Sequence, residues 1–125
     1  MMVLIWIVQR IIYPSFLYYS KENLIIWHRQ YTKRFAFIVA PLMLVQLAVA
    51  VFDILSPDIY ATLSITMITA LWLSTFLMFV PVHNAISKGR TNTEMLLQLV
   101  RKNWLRTILW TLLFALSLLH FLNLL

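Results

Sequence analysis

The chemistry that this sequence could support centres on two histidines, His28 and His83. Counted from Ser56, in a short turn between two apolar segments, His28 lies 28 residues earlier and His83 lies 27 residues later. At about 1.5 Å per helical residue, both histidines reach nearly the same height if the two segments are continuous helices. Such a pair could shuttle protons or ligate a metal or haem iron. The alternative is that both are interfacial histidines, hydrogen-bonded to neighbours and headgroups.

Other polar and aromatic side chains fall near the height of the two histidines. Tyr31, Asn103 and Trp104 are candidate cofactor-binding residues, and Arg106 is a candidate anion anchor. We therefore predict a polar cluster at one end of the helices, with His28, His83 and Arg106 as catalytic candidates. His120 lies near the other end of the last apolar segment, too far away in depth to join them.

Arg10 and Gln46 are the polar residues expected inside the apolar segments. A guanidinium near the middle of a bilayer costs at least about 2.5 kcal/mol, so Arg10 should face protein or water. Gln46 sits at a similar depth in the second segment, so we expect a contact between them, which a substrate carboxylate or quinone carbonyl could use. The alternative is that Arg10 extends outward to the interface or to Asp53.

Several kinds of catalysis are excluded by residue type. The chain has no cysteine, which excludes thiolate metal sites and cysteine nucleophiles, and only four carboxylates. It contains no glycine-rich phosphate loop, zinc-protease helix or serine-hydrolase motif. Hydrolysis by paired carboxylates and a di-iron site are therefore excluded.

The elements that must position these residues are membrane-spanning helices. Hydrophobic residues make up 62% of the chain and charged residues 11%, and there is one glycine in 125 residues. A span needs roughly 20 apolar residues. We predict a single all-α domain, an antiparallel four-helix transmembrane bundle, with spans at about 1–19, 35–55, 58–82 and 103–125. Because no cleavage-site pattern follows the first apolar run, we expect that helix to be retained.

Helices two, three and four are expected to extend past the membrane on one side. There, residues 21–34 form an amphipathic lead-in to the second span, and residues 87–93 form a turn. Ser56 and Thr91 are predicted helix N-caps, and Gly89 is predicted to end the third helix.

The basic residues fix the expected orientation. Nine of the ten Lys and Arg residues fall between spans one and two or between three and four, or just inside span four. The positive-inside rule makes that side cytoplasmic, with both termini outside, in what we expect to be a bacterial inner membrane. Because the cations lie beside apolar spans, anionic lipids are the expected partner, and nucleic acid is not.

A row of small residues on the third span predicts close helix packing. Thr62, Thr66, Ala70 and Ser74 recur at every fourth position. Such rows let membrane helices approach each other closely. Pro14 and Pro41 each remove a backbone hydrogen bond and are expected to kink the first and second helices.

Several short segments carry a resemblance to known families. They are YPSF at 13–16, WHRQYTKRF at 27–35, VAPLMLVQL at 39–47, VPVHNAISKG at 80–89 and NWLRTILW at 103–110. Together they resemble a group of small, uncharacterised four-helix bacterial membrane proteins. The Pro-x-x-Asn ending of span three and the Trp and Arg opening span four are remotely similar to anthrone oxygenase-like membrane proteins. These resemblances imply a four-helix fold. They also indicate five candidate functional residues: His28, His83, Asn103, Trp104 and Arg106.

Two functions are consistent with the sequence. The first is a small accessory or structural subunit that packs against another membrane protein, a second copy of itself, pigments or lipids. The alternative is a membrane-embedded oxidoreductase or oxygenase-like enzyme, or a cofactor binder, that acts on a hydrophobic substrate at His28 and His83.

Overall fold

A computed structural model describes all residues 1–125 as four helices without strands. They are α1 at Met2–Tyr18, α2 at Lys21–Asp53, α3 at Ile59–Ser87 and α4 at Thr93–Phe121. The last three are long and apolar enough to cross a membrane, and α1 is a shorter apolar helix. With 33 residues, α2 is about 50 Å long and exceeds a hydrocarbon core of about 30 Å. The prediction of an all-α fold with four helices is confirmed.

Side-chain contacts show that neighbouring helices run antiparallel. Trp6 of α1 donates to Thr111 of α4 at 3.0 Å, whereas Gln9, further along α1, donates to the carbonyl of Val100 at 3.0 Å. Moving forward along α1 therefore means moving backward along α4. The loops at residues 19–20 and 88–92 consequently meet at one end of the bundle, which we call the basic end because of the Lys and Arg residues around it.

The helix N-caps differ from those predicted. Asp58 and Asn92 are the caps, and each side chain accepts the backbone N–H three residues later, at 2.7 and 2.9 Å. Ser56 and Thr91 instead lie in the preceding loops. Asp58 and Asn92 immediately precede their helices, so their side-chain oxygens, and not those of Ser56 and Thr91, are within reach of the backbone N–H three residues later. Gly89 has a φ of +74°, the left-handed conformation predicted for it at the end of α3.

Two prolines locally widen their helices. A π-helical turn at Val8–Ile12 precedes Pro14, and another at Thr75–Phe79 precedes Pro81. Proline lacks an N–H, and its ring clashes with the carbonyl four residues earlier, which in both cases lies inside the π turn. Such turns often occur at functional sites. Pro41, by contrast, lies within α2 without interrupting its α-helical conformation.

The predicted small-residue row does not hold the four helices together. Thr62, Thr66 and Ala70 are exposed, and only Ser74 is buried. A step of four residues advances 400° around a helix, so a row with that spacing rotates by about 40° at each step. The buried row of α3 has a shorter average spacing and comprises Ala61, Ser64, Ile68 and Leu71.

Candidate functional site

A cavity of about 280 Å³ lies between α2 and α3, and all four helices contribute to its wall. Its polar lining consists of Tyr13, Tyr31, Thr32, Thr75, His83, Asn84, Ser87 and Arg106. Three apolar residues of the lining, Phe35, Val39 and Met43, come from α2. Ala36, Val80 and Asn84 line the cavity and are also exposed, so the cavity opens sideways between α2 and α3.

Four side chains along the cavity form a continuous chain of hydrogen bonds. The Oη of Tyr13 lies 2.9 Å from Nε2 of His83. Nδ1 of His83 lies 2.7 Å from Nε2 of His28, and Nδ1 of His28 lies 2.9 Å from Oγ of Ser87. The structure thus brings the two histidines into direct contact and gives each of their four ring nitrogens a partner. We call these four residues the Tyr13–Ser87 chain.

Aromatic packing holds the Tyr13–Ser87 chain in place. Phe16, which is fully buried, lies edge-on to His28 at 5.5 Å and to Tyr31 at 5.6 Å between ring centroids. The rings of His28 and His83 meet edge to edge through their hydrogen bond, with their planes 22° apart and their centroids 4.9 Å apart. Arg29 donates from Nε to the carbonyl of Ser87 at 2.9 Å and so fixes the end of α3 against α2. The imidazoles therefore have little freedom to rotate out of the chain.

Arg106 is a buried cation in the wall of the cavity. Its side chain is 7% exposed, and it donates one hydrogen bond, from Nη2 to Oγ1 of Thr75 at 3.3 Å. Its Cζ lies 4.6 Å from the centroid of the Phe79 ring, a cation–π contact. A guanidinium has five N–H donors. No Asp or Glu lines the cavity, so the charge of Arg106 has no carboxylate there.

Two buried polar atoms of the cavity-lining residues have no hydrogen-bond partner in the protein. They are Oη of Tyr31 and Nε of Arg106. Buried polar groups are nearly always paired, and each exception calls for a physical reason. A ligand with an oxygen acceptor near these two residues would supply that reason, since both groups can donate.

The histidines are not arranged as metal ligands. A metal or haem iron needs a free imidazole nitrogen, whereas all four nitrogens of His28 and His83 are hydrogen-bonded to protein. The chain contains no group of three or more His, Cys, Asp or Glu residues that could hold a metal ion. The expectation of haem or metal ligation by this pair therefore does not fit the donors that it presents.

Three of the predicted cofactor-binding residues, His28, Asn103 and Trp104, do not line the cavity. Asn103 is fully buried on the side of α4 that faces α1, where its Nδ2 donates to Oε1 of Gln9 at 2.9 Å. Trp104 is exposed and meets Trp6 edge-on at 5.6 Å. Asn103 and Trp104 have the predicted height but a different rotation about α4, because they precede Arg106 by three and two positions and therefore point in other directions. Tyr31 and His83 do line the cavity.

The buried polar residue of α1 is Gln9 and not Arg10. Gln9 is 2% exposed and accepts hydrogen bonds from Asn103 and Thr107 while donating to Val100. Arg10 is exposed. Consecutive helical residues point in different directions, and here Gln9 faces α4 whereas Arg10 faces outward. An amide can be buried when neutral partners satisfy it, whereas a guanidinium also needs a counter-charge.

The predicted contact between Arg10 and Gln46 is therefore wrong. Arg10 follows Gln9 and lies at the height of Val100, near the basic end. Gln46 lies near the opposite end, where it lines a second cavity of about 150 Å³ with Asp53, Tyr60 and Ser117. His120, also at that end, stacks on Tyr60 at 4.0 Å and is remote from the histidine pair.

Sequence reasoning missed four residues of the site. They are Tyr13, Thr75, Phe79 and Ser87. The signal that could have found two of them is a proline: Tyr13 directly precedes Pro14, and Phe79 precedes Pro81 by two residues. A proline inside an apolar helix marks a place where the helix is irregular, and side chains beside such irregularities often face a cavity.

Comparison with known proteins does not assign the chain to a family. No family model matches the chain, no curated protein matches it, and no solved structure matches it.

Proposed function

We propose that this chain is a membrane-embedded protein that binds a small hydrophobic molecule carrying an anionic oxygen group, with that group at Arg106. One observation carries the proposal: a buried guanidinium lines the cavity, and no carboxylate does. The unpaired donors on Tyr31 and Arg106 support it, because an anionic oxygen accepts hydrogen bonds from both.

The energetics favour a ligand over a purely structural arginine. Burying an ion costs several kcal/mol after relaxation, and a buried charge is normally paired. The contact of Arg106 with Phe79 returns on the order of 2 kcal/mol, and its hydrogen bond to Thr75 is long at 3.3 Å. An anion in the cavity would offset the remainder of the cost.

The rest of the cavity suits a hydrophobic body. Its walls include Phe35, Val39 and Met43, and its mouth includes Ala36 and Val80, which belong to the apolar stretches of α2 and α3. Ligand sites typically combine an apolar wall with a few polar groups that fix orientation. If α2 and α3 span a bilayer, the mouth opens toward lipid, so a hydrophobic molecule can enter sideways from the membrane.

The accessory-subunit interpretation remains the competing proposal, and one observation favours it. Thr62, Thr66 and Ala70 form an exposed row of small residues, against which a helix of another membrane protein or of a second copy could pack. An oxidoreductase or oxygenase-like activity, as the remote resemblance implies, would use the Arg106 cavity for its substrate and is a special case of the binding proposal.

We further propose that the basic end faces the cytoplasm of a bacterial inner membrane. Nine of the ten Lys and Arg residues belong to segments at this end, where anionic headgroups attract them. Arg10 lies at the height of Val100 and thus adds to the same half of the bundle.

Native mass spectrometry of protein purified from membranes in mild detergent tests the binding proposal. Wild type and Arg101→Gln, an exposed matched control on the same helix, should retain a small-molecule adduct that Arg106→Gln loses. A co-purified polypeptide with no difference between these variants would favour the accessory-subunit interpretation instead.

A further inference from the structure

The Tyr13–Ser87 chain runs along the wall of the cavity toward the basic end, and Tyr13, His83 and Ser87 all line that cavity. Tyr13 is 3% exposed and lies in the wall of the cavity that also contains Arg106. Ser87 is the last residue of α3, partly exposed, beside the loop at the basic end. His28 and His83 connect them through contacts of 2.7 to 2.9 Å, all of which are within hydrogen-bond distance.

With neutral imidazoles, the hydrogen bonds of the chain must all point the same way. A neutral imidazole has one N–H and one bare nitrogen, so each ring donates on one side and accepts on the other. If Tyr13 donates to His83, then His83 donates to His28, and His28 donates to Ser87. In the opposite direction Ser87 donates first, and the hydroxyl hydrogen of Tyr13 is left free for the cavity. The chain thus has two states that differ in the position of every proton.

We propose that the Tyr13–Ser87 chain is a proton relay, which carries the proton of a neutral hydrophobic oxygen acid from the Arg106 cavity to water at the basic end. The inference rests on the proposed function, because the relay needs an ionising ligand beside Arg106. It adds the ligand class, a weak acid that enters neutral from the lipid and is held as its anion.

The proton transfer balances without any further reactant. The acid gives its proton to Oη of Tyr13, which passes its own proton to Nε2 of His83. The Nδ1 proton of His83 moves to Nε2 of His28, and the Nδ1 proton of His28 moves to Oγ of Ser87. Ser87 then releases its hydroxyl proton to water. One O–H bond of the ligand is broken, one proton appears in water, and the reverse sequence returns it.

The charged and titratable groups around the relay favour this direction. Arg106, on α4, and Tyr31, on α2, face the cavity at its inner end, where the cation stabilises the anion that forms. Arg29, on α2, donates to the carbonyl of Ser87 at the outer end. The charge of this second cation disfavours an additional proton on Ser87 and so favours its release to water. No carboxylate lines the cavity to compete for the proton.

A kinetic experiment with para-nitrophenol tests the relay, because this weak acid reports its own ionisation by colour. The protein in detergent is loaded with the neutral phenol, and its ionisation is followed by absorbance after a rapid rise in pH. We expect His28→Gln to slow the ionisation roughly a hundredfold, the lower end of what a positioned acid–base group contributes. The Kd should be unchanged, because His28 does not line the cavity. The glutamine keeps a polar group toward His83. Unlike an imidazole, however, its amide cannot accept a proton on one nitrogen and release another proton from a second nitrogen.

The controls separate the relay from the binding proposal. His120→Gln makes the same chemical change at the opposite end and should ionise the probe at the wild-type rate. If wild type binds the phenol but His28→Gln ionises it equally fast, the relay is refuted while binding stands. If para-nitrophenolate binds no better than para-nitroanisole, its methyl ether, the binding proposal itself fails.

The relay can also be tested on the wild-type protein, where no substitution can affect folding. In protein labelled with ¹⁵N-histidine, a hydrogen bond between two imidazoles produces a scalar coupling between nitrogen nuclei. We expect this coupling between Nε2 of His28 and Nδ1 of His83. Its absence under conditions that resolve both rings would overturn the relay.

Discussion

Nε2 of His28 lies 2.7 Å from Nδ1 of His83, and the two rings are nearly coplanar, with planes 22° apart and centroids 4.9 Å apart. The contact joins residues 55 positions apart in the sequence and ties α2 to α3 at the basic end. Because each ring also holds a hydroxyl group on its other nitrogen, the pair is a link in a longer chain. The proposed anion site at Arg106 shares its cavity with Tyr13 and His83 of that chain.

Tyr31→Phe should weaken the binding of an anionic ligand without disturbing the fold. The hydroxyl of Tyr31 has no partner in the protein, so its removal costs the folded state no hydrogen bond. A ligand hydrogen bond is worth about 0.5–1.5 kcal/mol, which corresponds to roughly two- to tenfold in Kd. Isothermal titration with para-nitrophenolate measures it. Tyr18→Phe, at an exposed tyrosine, is the control, and equal affinity in both variants would argue against a ligand at Tyr31.

Gln9→Leu should destabilise the protein, whereas Arg10→Gln should not. The leucine leaves the buried Nδ2 of Asn103 without the oxygen to which it donates, at a cost of about 1–3 kcal/mol, whereas Thr107 keeps the carbonyl of Asn103 at 3.0 Å. Arg10 is exposed, so its replacement should change the free energy of unfolding by no more than about 0.5 kcal/mol. Thermal unfolding in detergent, followed by circular dichroism, compares the two. The opposite ranking would show that the rotation of α1 is wrong.

Leucine substitutions on α3 test which row of small residues faces the bundle. Ala61→Leu inserts three carbons into a buried position and should cost about 1–3 kcal/mol, whereas Ala70→Leu adds them to an exposed one. Unfolding of the purified protein should therefore be easier only for Ala61→Leu. A loss of stability in Ala70→Leu alone would mean that this row is covered, by a second copy or by another protein.

The orientation can be tested by labelling, since the chain has no cysteine of its own. We expect Lys33→Cys and Lys88→Cys to react with a membrane-impermeant maleimide only from the cytoplasmic side, and Ser56→Cys only from the opposite side. Intact cells expose the outer face of the membrane to the reagent, and inverted vesicles expose the cytoplasmic face. Labelling of Lys33→Cys and Lys88→Cys from opposite sides would contradict the bundle as a transmembrane arrangement.

Height along the helices could be predicted from the sequence, because it depends only on the rise per residue and the position of one turn. Counting from Ser56 gives His28 and His83 the same height, and the structure places them in contact. The apolar segments and Gly89 likewise predict the four helices and the turn before α4, since length and backbone conformation are local properties.

Rotation about the helix axis could not be predicted in the same way. Gln9 and Arg10 are adjacent, as are Asn103 and Trp104, and which member of a pair faces a given neighbour depends on packing among all four helices. The π turns before Pro14 and Pro81 add a further local change in rotation. The sequence does not reveal the roles of Tyr13 and Ser87 for this reason, because those roles depend on which side chains lie opposite them in the bundle.

The most direct test of the central claim is an equilibrium titration of para-nitrophenolate into the purified protein, with neutral para-nitroanisole as the matched ligand. We predict that wild type and Arg101→Gln bind the anion more tightly than the ether, and that Arg106→Gln loses this preference. A buried hydrogen bond to a charged group contributes about 1.5–3 kcal/mol, so the loss should be roughly tenfold or more in Kd. Equal preference for the anion in wild type and Arg106→Gln would contradict an anion site at Arg106.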